Sequence, residues 1–432
     1  MTEFRRIGAG FCGTVWTSTS EQSVHFGYAF KREDGGPGRS LLNDSRMHQD
    51  ILKAHNVTAV EVSVPYFGRF INSEDEWWTA NLRYFPSGYT PCNTIMAERI
   101  PAIPQDAREL LIDKYCPEKL AEEIKCSVTN QDCLIRPYLG RRRHNTRPSR
   151  FAAFSLRNYP LHLDQMEELG LSSYLSRYAE IMAETLAMMH WAAAIDANDV
   201  EFVLAPPREK GCSSVISNCL GNHVMWILDF DCCRKMSFDD DGIDQAVTAF
   251  FKNDPFFPRP GQDLWESFRR RYILTSIRIL QDQFDGSSPG LPLKFVQRVE
   301  EWSRTESARL PPSWCATDPE DEKKYFVTVG QLPDIRRTET PSSPVSSSGN
   351  TATGGQQDQR QRLLSQESTI TTTSSFAERQ QAAIGANASF REIGRSSVGK
   401  TFEKTGTIWA YKILLLNRTD KLWNNYLMPK QL

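Results

Sequence analysis

Three glycines and a lysine near the start of the chain have the spacing of a phosphate-binding site. The glycines are Gly8, Gly10 and Gly13, and Lys31 ends the strand-like run Tyr-Ala-Phe-Lys that follows them. Glycines at this spacing bring bare backbone N–H groups close to phosphate oxygens, and a lysine on a buried strand can reach the same oxygens. The pattern also occurs in dinucleotide-binding βα turns, but Val15 and its neighbours favour a second strand. The alternative interpretation is a glycine-rich hairpin with a surface lysine.

Two groups of carboxylates occur later in the chain. Asp196 and Glu201 lie in the string Ile-Asp-Ala-Asn-Asp-Val-Glu-Phe-Val-Leu, and Asp229 and Asp231 lie in Leu-Asp-Phe-Asp. Carboxylate oxygens are ligands for Mg²⁺, and a carboxylate can accept the proton of a reacting hydroxyl. The alternative is structural, because acids that follow a helix or strand end can simply cap a turn.

The elements that must position these groups are predicted from apolar spacing and turn residues. Strands are predicted at 4–7, 14–19, 26–32, 200–204 and 223–230, and helices at 41–55, 173–194, 264–283 and 293–306. The predicted order is a β-rich front followed by a helical body that contains one hairpin.

These motifs, taken in order, resemble the small and large lobes of the protein-kinase-like superfamily over residues 4 to about 285. The resemblance is carried by the glycine run, Ala-x-Lys, the hinge-like string Thr-Ile-Met-Ala-Glu-Arg-Ile at 94–100 and the helix end at 187–190, and then by the two acidic strings. Leu-Asp-Phe-Asp is the form found in small-molecule kinases such as the aminoglycoside phosphotransferases. The implied fold is α+β with two lobes, a β-rich N-lobe and a mainly helical C-lobe.

The resemblance implies an ATP and Mg²⁺ site with a role for each matching residue. Gly8, Gly10, Gly13 and Lys31 would hold phosphates, Asp44 would pair with Lys31, the backbone of Glu98 and Ile100 would bind adenine, Asp196 would orient the substrate hydroxyl, and Asp229 and Glu201 would hold metal.

The catalytic string departs from the family pattern at two places. Ala194 and Ile195 stand where His-Arg precedes the catalytic Asp, and Glu201 stands where an Asn holds a second metal. The pattern, including Asn-Asp-Pro-Phe-Phe-Pro at 253–258, also resembles a largely fungal family without an established activity. The sequence therefore predicts a degenerate kinase-like protein that binds nucleotide and acts as a pseudokinase or scaffold. The alternative is an active small-molecule phosphotransferase.

Composition, together with the kinase-like resemblance, divides the chain into four segments. An N-lobe at 1–100 and a C-lobe at 101–335 are followed by a Ser/Thr/Gln/Gly-rich stretch at 336–388, predicted to be a disordered linker. Residues 389–432 repeat the Phe-Arg-x-Ile-Gly and aromatic-Ala-aromatic-Lys patterns of the start, which indicates a truncated second N-lobe. The P-loop pattern Gly-x-x-x-x-Gly-Lys-Thr at 394–401 precedes strand-like residues, not the helix that a P-loop requires.

Charge and targeting features limit the classes of partner. Lys plus Arg number 51 against 53 Asp plus Glu, which disfavours a globally basic nucleic-acid binder. No signal peptide or membrane segment is predicted, so a cytoplasmic or nuclear location and a protein partner are expected. The ten cysteines match no zinc-finger spacing. One arginine cluster could bind an anionic partner, or it could be a solvated loop: Arg136, Arg141, Arg142, Arg143, Arg147 and Arg150.

Overall fold

The structure is a computed structural model that describes residues 3–36, 40–143, 154–208, 214–283 and 290–309. The chain divides into two units, Met1–Arg336 and Arg337–Leu432, and all the described residues belong to the first. The predicted linker at 336–388 and the predicted second N-lobe at 389–432 lie outside the described residues.

The first lobe is a five-stranded antiparallel sheet with one long helix. Its elements are β1 (Phe4–Ala9), β2 (Thr14–Ser18), β3 (Tyr28–Arg32), α1 (Leu41–Val57), β4 (Phe67–Ile71), α2 (Trp77–Asn81) and β5 (Thr94–Glu98). The strand order is β1-β2-β3-β5-β4, so β3 lies at the centre and the chain leaves it through α1. The central strand is therefore the one that carries the predicted lysine.

Alternation along β3 separates a core face from the face that carries Lys31. Phe30 packs at 5.0 Å from the Phe4 ring, and the buried Arg32 guanidinium lies 4.6 Å from the centre of the Phe85 ring. Lys31 points to the opposite face, because side chains alternate along a strand. The aromatic layer contributes about 1.5–3 kcal/mol for each ring buried, which holds the sheet against α2.

The second lobe is mainly helical. Its helices are α3 (Gln105–Tyr115), α4 (Glu118–Cys126), α5 (Leu163–Glu168), α6 (Ser172–Ala187), α7 (Asp240–Lys252), α8 (Trp265–Gln283) and α9 (Gly290–Arg309). The α+β class with a β-rich first lobe and a helical second lobe is thus confirmed. The first three strands, followed by α1, have the order predicted from the sequence.

The second lobe holds more strands than the single predicted hairpin. Its strands are β6 (Ile135–Tyr138), β7 (Tyr159–His162), β8 (Glu201–Ala205), β9 (Ile216–Asn218) and β10 (Gly221–Leu228), in the order β7-β6-β8-β10-β9. The predicted pair is present as β8 and β10. The other three strands are short, and β6 and β7 each contain a proline, which removes most of their sequence signal.

The long predicted helix 173–194 ends earlier than expected. Regular α-helix stops at Ala187, and a π-helical turn continues over Met188–Ala192. The turn brings the side chains of His190 and Trp191 to the hydroxyl of Tyr272, at 2.9 and 3.0 Å. His190 is therefore a packed core histidine, and burial lowers its pKa to about 3.

The two lobes are joined by backbone pairing as well as by the chain connection after β5. Ser63, between α1 and β4, donates its N–H to the Met225 carbonyl at 2.8 Å and accepts from the Ile227 N–H at 3.1 Å. Arg208 forms two hydrogen bonds to the Glu98 carboxylate, at 2.7 and 2.6 Å. The first lobe is thus attached directly to the sheet of the second.

Gly13 and Gly10 lie in the same turn but differ in what a side chain would meet. Gly13 has φ +148°, and a Cβ there would collide with the Arg32 carbonyl oxygen and lie 2.6 Å from Asp34 Oδ1, whereas a Cβ on Gly10 meets nothing within 4 Å. We expect Gly13→Ala to lower the free energy of unfolding by about 1–3 kcal/mol. Gly10→Ala is the matched control and should change it by less than about 0.5 kcal/mol. Urea unfolding of both variants measures this, and equal losses would contradict it.

Candidate functional site

Lys31 lies between two carboxylates that come from different lobes. Its Nζ is 2.7 Å from Asp44 Oδ2 on α1 and 2.7 Å from Asp229 Oδ1, which follows β10. Asp44 is buried, and Asp229 adopts a left-handed backbone conformation with φ 65°. Residues 198 positions apart in sequence therefore meet at one amine.

The charges of this trio stabilise one another. Burial opposes ionisation of Lys31, but Asp229 and Asp44 outweigh it and raise the lysine pKa well above its ordinary value. Burial likewise opposes ionisation of Asp229, and the charge of Lys31 lowers its pKa below the ordinary value. Lys31 and Asp229 are therefore both charged at neutral pH, because an opposite charge at hydrogen-bonding distance favours the ionised form.

Helix α1 also holds the loop that follows Asp229. Asn43 Nδ2 donates to the backbone oxygens of Asp231 and Cys233, at 2.9 and 3.0 Å. The Phe230 ring is buried 5.2 Å from the ring of His48. The Leu-Asp-Phe-Asp string is thus attached to the helix that carries the partner of Lys31.

The glycine turn between β1 and β2 is bonded to the segment that follows β3. Gly35 and Gly36 donate their N–H groups to the carbonyls of Cys12 and Phe11, at 3.1 and 3.0 Å. Cys12, at the tip, is buried rather than exposed. Burial raises the pKa of its thiol to about 12, and the Asp231 carboxylate acts in the same direction. The tip of the turn therefore faces the acidic loop, and its thiol stays protonated.

Asp196 is almost fully buried, at 4% exposed, and its carboxylate is engaged on both oxygens. Oδ1 accepts the N–H groups of Asn198 and Arg234, at 3.1 and 2.9 Å, and Oδ2 accepts from Gln245 Nε2 at 2.8 Å. These contacts join two loops of the second lobe, so the structure gives Asp196 a loop-holding position. Its predicted catalytic role stays a prediction.

The same loop has a strained backbone. Ala194, Ala197 and Asp199 have φ of 52°, 56° and 62°, in a region that costs non-glycine residues of order 1 kcal/mol or more each. The Asn253 side chain supports the loop, since it accepts from the Asp199 N–H at 2.6 Å and donates to the Ala197 carbonyl at 2.9 Å. These two hydrogen bonds give Asn253, the first residue of the Asn-Asp-Pro string, a structural role. The Asp199 side chain is exposed.

Glu201 is paired with Arg136 from β6. Arg136 Nη2 contacts Glu201 Oε1, and Arg136 Nη1 lies 3.6 Å from Asp254 Oδ2. Tyr138 donates to the same Asp254 oxygen at 2.6 Å. Glu201 could reach a metal only in competition with this guanidinium, so its predicted metal role stays a prediction.

Among the described residues, one group combines three potential metal ligands. Asp199, Asp231 and Cys232 place one ligand atom each within 4.8 Å of the others. Carboxylate oxygens suit Mg²⁺, whereas a thiol does not, so the two acids are the ligands that fit that ion. The sequence analysis considered the acids of both strings, Asp199 and Asp231 included, as possible metal ligands, but it gave individual roles only to Asp196, Glu201 and Asp229 and none to Cys12.

The segment after β5 gives different surroundings to the two predicted adenine-binding residues. Glu98 accepts from Arg208 and from the Tyr66 N–H, and its own N–H donates to the Tyr66 carbonyl at 2.8 Å. The Ile100 N–H has no hydrogen-bond partner among the described residues. The Ile100 side chain packs with Leu228 against the apolar cluster of β8 and β10.

Within the described residues, three arginines of the predicted cluster form ion pairs with different acids. Arg136 pairs with Glu201, Arg142 with Glu167, and Arg143 with Asp164 and Glu168. Arg147 and Arg150 lie outside the described residues.

None of the described helices is both long and apolar enough to cross a bilayer.

Comparisons with known proteins give limited information. A family model described as a zinc finger protein matches residues 225–284, a segment whose only cysteines are the adjacent Cys232 and Cys233 and which contains no histidine. A zinc finger needs about four such ligands, so this segment alone cannot supply one. No curated protein matches the chain.

The solved structures that match this chain include two complexes of aminoglycoside phosphotransferases, both at low TM-scores. The GDP and kanamycin complex of the aminoglycoside phosphotransferase APH(2")-IIia is 10% identical, with a TM-score of 0.22, and the match covers 70% of this chain and 93% of that one. The GDP complex of a point mutant of an aminoglycoside phosphotransferase is 11% identical, with a TM-score of 0.20, and the match covers 71% and 92%.

The ionisation of Glu201 generates a testable pH dependence. Burial raises its pKa to about 7, and the negative charge of Asp229 adds to this although Arg136 opposes it. Because the pKa of Glu201 is higher in the folded than in the unfolded protein, the protonated carboxyl stabilises the fold at pH values below the unfolded pKa. This stabilisation is lost as the pH rises to about 7. We expect the wild type to lose about 1–2 kcal/mol relative to Glu201→Gln between pH 5 and 7.5.

Melting temperatures of both proteins across that range measure the effect. Loss of the Glu201–Arg136 ion pair should lower the stability of Glu201→Gln by the same amount at every pH, so it does not change the slope of the pH profile. Glu74→Gln, at an exposed site, is the control for a neutralised glutamate. Parallel pH profiles for wild type and Glu201→Gln would contradict the shift.

Proposed function

We propose that this chain binds a purine nucleotide with Mg²⁺ between its lobes and acts as a pseudokinase or scaffold with little or no phosphotransfer. The observation that carries the proposal is the position of Lys31 Nζ, 2.7 Å from both Asp44 and Asp229 on the inner face of the glycine-turn sheet. A lysine held in this way is oriented for phosphate oxygens, and the acid that follows β10 is oriented for a cation bound to them.

The acids that surround the lysine support binding of a divalent cation. Asp229, Asp231 and Asp199 offer oxygen ligands, which Mg²⁺ prefers. Bound Mg²⁺ would neutralise phosphate charge. Without a cation, a phosphate group would be repelled by these carboxylates, so nucleotide binding should require the metal.

The segment after β5 supports binding of a flat base. The Ile100 N–H lacks a partner among the described residues, and the Ile100 and Leu228 side chains form an apolar surface beside it. An unpaired donor next to an apolar surface suits a purine edge and face.

Two contacts argue against efficient transfer of the phosphoryl group. The carboxylate of Asp196 already accepts three hydrogen bonds, so it is poorly placed to take a substrate proton. The charge of Glu201 is balanced by Arg136, which competes with any second metal. These two contacts favour nucleotide binding without phosphoryl transfer.

Nucleotide binding is tested by thermal shift of the full chain with ATP and Mg²⁺. At about 100-fold excess over Kd, the wild type should gain about 2.7 kcal/mol of stability, and the gain should disappear when EDTA removes the metal. Lys31→Met and Asp229→Asn should each lose most of the gain, measured against their own ligand-free melting temperatures. Lys53→Met, an exposed lysine on α1, is the matched control and should behave as wild type. Absence of any shift at millimolar nucleotide would refute the proposal.

An active small-molecule phosphotransferase is the second candidate, and the exposure of Asp199 favours it. This acid is held by Asn253 at the acidic loop, where it could accept a hydroxyl proton in place of Asp196. If the chain is active, ADP release with a panel of hydroxylated small molecules should be lost by more than about tenfold in Asp199→Asn. Asp241→Asn, an exposed acid on α7, is the control. No turnover in the wild type would leave the binding proposal standing and exclude this one.

A further inference from the structure

The glycine turn between β1 and β2 is anchored by an acid that follows β3. Asp34 Oδ1 accepts from the Thr14 N–H at 2.8 Å and from the Thr14 hydroxyl at 2.9 Å. Asp34 Oδ2 accepts from Nε of the buried Arg32 at 2.9 Å, which also holds the carboxylate in place. Together with the two residues after it, Asp34 forms a short segment, residues 34–36, that we call the strap.

The two glycines of the strap are bonded to the tip of the turn. The Gly35 N–H donates to the Cys12 carbonyl at 3.1 Å, and the Gly36 N–H donates to the Phe11 carbonyl at 3.0 Å. A Cβ on Gly35 would lie 2.4 Å from the Phe11 oxygen and 2.6 Å from the Gly13 nitrogen. A Cβ on Gly36 would have the Phe11 ring as its nearest neighbour, at an ordinary contact distance of 3.5 Å. Only Gly35 therefore needs the absence of a side chain for this close approach.

These hydrogen bonds orient the two peptide groups at the tip of the turn. In a trans peptide the C=O and the N–H point in opposite directions. The Phe11 and Cys12 carbonyls point toward the strap. The N–H groups of the same two peptides belong to Cys12 and Gly13, so these N–H groups point away from the strap.

Both of these N–H groups belong to buried residues and have no acceptor among the described residues. Buried backbone N–H groups are nearly always paired in folded proteins. Successive N–H groups in a turn can form a concave binding site for an anion. The Cys12 and Gly13 donors therefore suit the oxygens of a ligand.

The strap holds the turn from the face of the sheet opposite to Lys31. Val15 and Lys31 are directly paired on neighbouring strands, so their side chains share one face. The Thr14 side chain, which bonds to Asp34, lies on the other face because side chains alternate along β2. A pair of donors directed away from the strap therefore suits an anion that Lys31 also contacts.

We propose that the strap positions the N–H groups of Cys12 and Gly13 to bind a phosphate of the nucleotide, with Gly35 as the main positioning residue. This role rests on the proposed nucleotide binding and assigns the element that orients the phosphate donors. A glycine-rich turn has wide conformational freedom, which the hydrogen bonds of the strap restrict. Donors that are oriented before binding lose little freedom when the ligand binds, so the strap should strengthen phosphate binding.

The experiment titrates the full chain with two fluorescent probes, trinitrophenyl-ATP with Mg²⁺ and trinitrophenyl-adenosine, which has no phosphate. We expect Gly35→Ala to weaken binding of the ATP probe by at least about tenfold, because two hydrogen bonds to a charged phosphate are lost. Its affinity for the adenosine probe should stay within about twofold of the wild-type value. A loss limited to the probe with phosphates is a result that a general loss of structure would not produce.

Gly36→Ala is the matched control and should bind both probes as the wild type does, because its Cβ meets no close neighbour. If Gly35→Ala does not fold, Asp34→Asn replaces it. This variant keeps only one acceptor oxygen and should weaken the ATP probe alone by at least about threefold. Unchanged binding in the tested strap variant, an equal loss in Gly36→Ala, or equal losses of both probes would overturn the role of the strap and leave nucleotide binding intact. No binding of either probe by the wild type would refute the nucleotide site, and the role of the strap with it.

Discussion

One partly buried amine between two carboxylates joins the two lobes of the molecule. Lys31 lies on the central strand of the first sheet, Asp44 on the helix behind it, and Asp229 at the end of β10 in the other lobe. A charge buried without partners would cost several kcal/mol, so each group depends on the other two being in place. The contacts of Asn43 and His48 to the loop after Asp229 have the same effect, because they hold α1 and that loop together.

Two carboxylates of the acidic loops near this trio form contacts within the protein. Asp196 joins two loops through its carboxylate, and Glu201 balances Arg136, so groups that could act on a substrate are used within the protein. Asn253 holds a strained stretch of backbone and leaves Asp199 as the exposed acid of the loop. These contacts are the basis of the proposal that the chain binds nucleotide with little or no phosphotransfer.

Local patterns in the sequence predicted most of the framework. The first three strands, α1 and the β8–β10 pair have clear periodicity and are present close to their predicted bounds. Contacts between distant residues were not predictable in the same way. Arg136 and Glu201 are 65 positions apart, and the inward position of Cys12 depends on hydrogen bonds made by Gly35 and Gly36. The strands β6 and β7 were missed because their prolines mask the pattern.

The pairing of Ser63 with β10 has a mechanical consequence. Two lobes linked by a single connecting segment can rotate about it, but here a second attachment, between α1 and β4, forms backbone hydrogen bonds with β10 of the other sheet. Two separate attachments between the lobes restrict hinge motion, so we expect the lobes to unfold together in one cooperative thermal transition. Ligands would then enter by small loop displacements, since wide opening would require that strand-like contact to break.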